Sequence, residues 1–105
     1  MTIVRDLAPQ EVERGLAEGT MLIVDVREPR EIEMERIAGA HVMPMSVFDP
    51  GGLPDPQGRL VVFSCASGIR SVAASQLAQA AGLPYDAHLA GGLKAWKAAG
   101  LPVER

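Results

Sequence analysis

The sequence predicts an α/β domain built on an open, parallel sheet, and three observations carry that expectation. Met21-Leu-Ile-Val-Asp-Val26 and Leu60-Val-Val-Phe-Ser64 are short apolar runs rich in β-branched residues, the pattern of strands covered on both faces. Each is followed by a segment with helical spacing. The chain, residues 1–105 with 48% apolar and 22% charged residues, is long enough for one domain with its own core and too short for two.

Taken in order, Thr2 to Asp6 forms a possible first strand, followed by a helix from about Pro9 to Glu18 that buries Val12 and Leu16 and closes at Gly19. After the Met21–Val26 strand, Pro29 suits the first turn of a helix, Ile32 and Arg36 mark the faces of a short segment, and Gly39 ends it. Pro50-Gly-Gly-Leu-Pro-Asp-Pro-Gln-Gly58 holds three prolines and three glycines in nine residues and must be a loop. Beyond the Leu60–Ser64 strand, Ile69, Val72, Ala73, Leu77 and Ala80 recur at spacings of three and four, and Gly82 with Pro84 supplies the stop. A last unit runs from Pro84 to Leu89 as a strand, then through Gly91-Gly92 into a helix carrying Leu93, Ala95, Trp96 and Ala99. Repeated strand-then-helix units imply right-handed crossovers, and such sheets bind ligands at the carboxyl ends of their strands. That rule points at the residues following Val26 and Ser64.

Composition narrows the function. The formal charge of −3 arises from interspersed acidic and basic residues, so no basic stripe exists to meet nucleic acid. No apolar run approaches the ~20 residues a bilayer needs, and Arg5 and Asp6 stand where a signal peptide would be apolar, so a cytoplasmic protein without a membrane partner is expected. No internal repeat is present. The single cysteine, Cys65, excludes an intrachain disulfide and any cysteine-based metal cluster.

Cys65-Ala-Ser-Gly-Ile-Arg70 leaves a buried strand and enters the strongest helix. In such a loop the backbone N–H groups of Ala66, Ser67, Gly68, Ile69 and Arg70 can converge on one point, and the positive end of the helix dipole faces the same way. A free thiol ionises at about pH 8.5, and a helix N-terminus with a nearby cation lowers this. Arg70 is the candidate cation, Gly68 permits a tight turn or positive φ, and Ser67 and Ser71 offer hydroxyl donors. Together these describe a nucleophile in an anion-holding loop.

Four stretches now resemble one family, the single-domain rhodaneses, which are sulfurtransferases. They are Val24-Asp-Val-Arg-Glu-Pro29 with Glu31, Ile37-Ala-Gly-Ala40 with Pro44, Cys65-Ala-Ser-Gly-Ile-Arg-Ser71, and Leu89-Ala-Gly-Gly-Leu-Lys-Ala-Trp96; they run in the family's order and cover the chain from Leu22 onward. The resemblance implies a rhodanese-like, five-stranded parallel sheet flanked by helices on both faces, with the Cys65 loop as active site. It implies that the Cys65 thiolate takes the outer sulfur of a donor such as thiosulfate or glutathione persulfide and becomes a persulfide. The sulfur then passes to a thiol, cyanide or a partner protein, a ping-pong scheme that calls for no cofactor and no metal. Asp25 is implied to orient the loop or a neighbouring turn, and Arg27 either does the same or meets an anionic donor.

Departures from the pattern and two rivals accompany the resemblance. The family often has a basic residue directly after the cysteine; Ala66 removes that charge from the donor's approach. Glu35-Arg36 replaces a frequent Gly-His. A rhodanese-like phosphatase or arsenate reductase would use a loop one residue longer than the four that separate Cys65 from Arg70, since a tetrahedral oxyanion needs the larger ring. A non-catalytic rhodanese-like binding module usually shows a replaced cysteine. His41 and His88 are read as ordinary partly buried or surface histidines, Trp96 as core, and Glu28, Glu31, Glu33 and Glu35 as a solvated helix face.

Overall fold

The computed structural model describes residues 2–105. The elements follow as β1 (Arg5–Leu7), α1 (Pro9–Glu18), β2 (Met21–Asp25), α2 (Pro29–Met34), β3 (His41–Val42), β4 (Leu60–Ser64), α3 (Arg70–Ala80), β5 (Ala87–Leu89) and α4 (Gly92–Ala98), with short 3-10 turns at Met45–Val47 and Pro50–Gly52. All strands pair in parallel in the order β1-β5-β4-β2-β3. This is the open parallel α/β sheet the sequence predicts, with the five strands the resemblance implies.

Strand alternation divides the core in two. Ile23 and Val62 face one side, where Val12 of α1 and Leu93 and Trp96 of α4 cover them. Val24, Val61 and Phe63 face the other, beneath Ala74 and Ala78 of α3. Fully burying a side chain of this kind stabilises the fold by roughly 1.5–3 kcal/mol, so helices are required on both faces. The chain leaves β2 toward β3 and leaves β4 toward β5, and the carboxyl ends of the adjacent β2 and β4, Asp25 and Ser64, are paired in register. That reversal is where an open α/β sheet opens a crevice, and Cys65 is the first residue beyond it.

Differences from the sequence expectation have local causes. The first and last strands begin later than expected, at Arg5 and Ala87; Pro84 offers no donor, and pairing starts only where the Arg5 amide reaches the Asp86 carbonyl at 2.6 Å. Helix α2 stops at Met34 rather than near Gly39, because Glu35 is extended and Arg36 exchanges two backbone hydrogen bonds with Glu104. Helix α3 has the expected extent but presents another face. Ser71, Ala74, Ser75 and Ala78 are buried, whereas Ile69 is 77% exposed and Leu77 48%. Small residues let the helix sit close to the sheet, and the buried hydroxyls have partners: Ser75 Oγ donates to the Tyr85 carbonyl at 2.7 Å and Ser71 Oγ meets His88 Nδ1 at 2.8 Å.

Candidate active site

The loop between β4 and α3 curls around one sulfur. Cys65 Sγ accepts hydrogen bonds from the amides of Gly68 (3.1 Å) and Ser71 (3.4 Å) and shares a third with the Ser71 hydroxyl at 3.4 Å. Gly68 makes the curl possible, since its φ of +96° is unfavourable for a side-chain-bearing residue and a Cβ there would stand 3.0 Å from the Gly91 amide nitrogen. The outer side of the loop is tied to α4, whose first amides, Leu93 and Lys94, donate to the carbonyls of Cys65 (2.8 Å) and Ala66 (3.0 Å). With its carbonyls held outward, the loop keeps its amides pointed inward.

Cys65 is 1% exposed. Burial is the largest influence on its thiol and pushes its pKa up, but the Ser71 hydroxyl and the amides of Ser71, Gly68 and Ser67 together outweigh it, so the thiol ionises more readily than an ordinary one.

The other residues singled out in the sequence fall into three groups. Ser71 contacts the sulfur directly, Ser67 serves through its amide with its side chain exposed, and Ile69 projects into solvent. Arg70 stands at the first turn of α3, where its guanidinium is held in a bidentate pair with Glu31 (2.7 and 2.9 Å) and feels the charge of Cys65. Arg27 is 3% exposed, and its guanidinium grips Asp25 (2.8 to 3.2 Å) and the carbonyls of Glu31 and Glu35. Asp25 also accepts from the Arg27 amide at 3.0 Å, so the pair fixes the turn that leads from β2 into α2. The acidic face of α2 is accordingly more than a solvated surface. Glu31 holds Arg70, Glu28 accepts from the Ser46 hydroxyl at 2.6 Å, and Glu35 pairs with Lys97.

Behind the loop stand His88 and Asp6. His88 is buried at the centre of β5, hydrogen-bonded to Ser71 on one side and to Asp6 of β1 on the other (2.7 Å). The available signal was a polar residue inside a short buried strand, which needs partners. Beside the loop lies a cleft of about 590 Å³ lined by Arg27, Glu31, Met34, Ala66, Lys94 and Lys97 among others. It meets the loop at Ala66. Among the described residues no group of three His, Cys, Asp or Glu side chains could hold a metal ion, and no helix is long and apolar enough to cross a membrane.

The Arg70–Glu31 pair makes a pH prediction. Hydrogen bonds from Arg70 hold the Glu31 carboxyl at about 2, against the opposing effect of burial and with help from the Glu28 amide. A lowered folded-state value contributes stability that is present above the unfolded value of 4.5 and lost as pH falls through about 2. Both side chains are about a third exposed, so the pair is worth about 1 kcal/mol or less. In urea unfolding, the small advantage of wild type over Glu31→Gln should shrink steadily as pH falls from about 5 toward 2. An advantage unchanged across that range would contradict the assignment.

An open parallel sheet with a buried cysteine hydrogen-bonded by loop amides at its switch point defines the architecture of this α/β domain. The sequence matches the rhodanese-like domain over residues 8–99, and the chain belongs to that family. It is 41% identical over 97 residues to the Synechocystis protein slr1261, covering 92% of this chain and 54% of that one. It is 32% identical over 102 residues to a sulfurtransferase of Allochromatium vinosum, covering 96% and 95% of the two chains. Among solved structures it superposes on thiosulfate sulfurtransferase from Pseudomonas aeruginosa with a TM-score of 0.83 at 29% identity, covering 97% of this chain and 20% of that one. The chain thus spans about half the length of the Synechocystis relative and nearly all of the Allochromatium one.

Proposed function

We propose that the protein is a sulfurtransferase that carries a sulfane sulfur on Cys65. The observation that carries this reading is the convergence of the Gly68 and Ser71 amides and the Ser71 hydroxyl on Sγ. Such donors stabilise a thiolate and, one atom further out, a persulfide anion. The thiolate attacks the outer sulfur of the donor; the donor's S–S bond breaks, and its electron pair leaves on sulfite from thiosulfate or on glutathione thiolate from glutathione persulfide. A thiolate, cyanide or protein acceptor then attacks the outer sulfur of the Cys65 persulfide, and the Cys65 thiolate returns as leaving group. The amides of Ser67, Gly68 and Ser71 form the cradle, Arg70 keeps a positive charge at the start of α3 under the control of Glu31, and Asp25 with Arg27 supports the wall. The charge missing at Ala66 is supplied from beside it. Lys94, whose amide bonds to the Ala66 carbonyl, lines the same cleft and forms no ion pair among the described residues, which suits an anionic donor.

Intact mass spectrometry after incubation with thiosulfate or glutathione persulfide tests the reading. The expected result is an adduct of one sulfur atom on the native chain and none on Cys65→Ser. Absence of an adduct with both donors would overturn it, and turnover of a phosphate ester or arsenate in its place would assign the loop to the rival chemistry.

A further inference from the structure

The buried polar chain behind the sulfur has a direction. His88 Nε2 lies 2.7 Å from Asp6 Oδ1, and a carboxylate only accepts, so Nε2 carries a proton. His88 Nδ1 lies 2.8 Å from Ser71 Oγ, which in turn lies 3.4 Å from Cys65 Sγ. The Ser71 hydroxyl has one hydrogen to give. While Cys65 is a thiol and His88 is neutral, the thiol donates to Ser71 and Ser71 donates to Nδ1. Once Cys65 is a thiolate, Ser71 must donate to the sulfur instead, and Nδ1 is satisfied only if it carries a proton and donates to Ser71.

We propose that His88 is a proton-relay residue that takes the Cys65 thiol proton through the Ser71 hydroxyl, with Asp6 stabilising the imidazolium that results. The proposal rests on Cys65 being the reacting group. In the transfer the S–H bond breaks and its electron pair stays on sulfur. Ser71 Oγ gains the thiol proton and gives its own to Nδ1, so a thiol and a neutral imidazole become a thiolate and an imidazolium with no change in total charge. Ser71 thereby turns from acceptor to donor toward the sulfur and completes the cradle. The far end of the chain reaches solvent, because the Asp6 side chain is 77% exposed while His88 is buried.

Among the described residues no other charged group is hydrogen-bonded to the imidazole. On β1, Arg5 is paired with Asp86 at 2.9 Å; on β4, the neighbour in register is Phe63; on α3, Arg70 is held by Glu31. The hydrogen-bond partners of His88 among the described residues are therefore Asp6 and Ser71, with Cys65 beyond.

Because His88 acts through Ser71, it is a positioning residue, and its test is a pH profile. The rate of Cys65 alkylation by iodoacetamide is measured across pH for wild type, Asp6→Asn and His88→Gln, with circular dichroism beside it. Below about pH 7 the expected rates are roughly tenfold lower for His88→Gln and roughly threefold lower for Asp6→Asn, with all three converging at high pH where the thiol is fully ionised. Asp6 is on the surface, so its variant stays folded and decides the matter if His88→Gln does not. Profiles identical to wild type, or a drop of the same factor at every pH, would overturn the relay. Alkylation needs no sulfur donor. Displaced profiles in a protein that forms no sulfur adduct would leave the relay standing while the sulfurtransferase reading fell.

Discussion

Arg27→Met is expected to destabilise the protein by about 3–5 kcal/mol, the cost of leaving one member of a buried ion pair without the other. Asp25 and Arg27 are 2% and 3% exposed, and three hydrogen bonds run from the guanidinium to the carboxylate. Removing the cation leaves a charge sealed at the end of β2, and also frees the carbonyls of Glu31 and Glu35 that the same guanidinium holds. Chemical denaturation measures the loss. The double variant with Asp25→Asn should recover part of it, because the sealed charge is gone while the carbonyl bonds are not replaced. A single variant within about 1 kcal/mol of wild type would show that Asp25 is not sealed from water.

Gly92→Ala should have the next largest effect. Gly92 has φ +59°, and an added methyl would stand 2.7 Å from the Ala66 carbonyl carbon and 2.8 Å from its oxygen, closer still to the carbonyl of Cys65. All are backbone atoms of the reactive loop, so the methyl cannot be accommodated by turning a side chain. A loss on the order of 3 kcal/mol is expected, with Tm lowered by more than about 10 °C. Gly100→Ala is the control, since Gly100 shares the positive φ (+77°) with nothing within 4 Å of the added carbon. It should lose only about 1 kcal/mol. Equal stability of the two variants would show that the contact with the loop carries no weight.

The parts of this fold that were legible in the sequence are those set by neighbours along the chain. Helix α1 runs from Pro9 to Glu18 as expected, because proline opens it and Gly19 closes it, and β2 and β4 are evident as continuous buried runs. Strand β3 has two residues and leaves no periodic trace. The buried side of α3 was misread for a specific reason. Hydrophobicity favoured the Ile69, Val72 and Leu77 stripe, whereas the helix is seated by side chains small enough to bring it near the sheet. The Cys65 loop was legible from its place between strand and helix. The partners that give it its character were not: Glu31 lies 39 residues from Arg70, His88 lies 17 from Ser71, and Asp6 lies 82 from His88. Spacing along a helix or strand says nothing of contacts that only the assembled sheet creates.

The small buried face of α3 ties architecture to the surroundings of the sulfur. Ser71 belongs both to that face and to the ring around the sulfur, so the depth at which the helix rests sets how far the Ser71 amide stands from Sγ. A bulkier side chain at Ala74 or Ala78 would lift the whole cylinder like a shim under a hinge, and the reach from nitrogen to sulfur would lengthen with it. Residues a full turn or two away from the sulfur thereby act as its focusing screw.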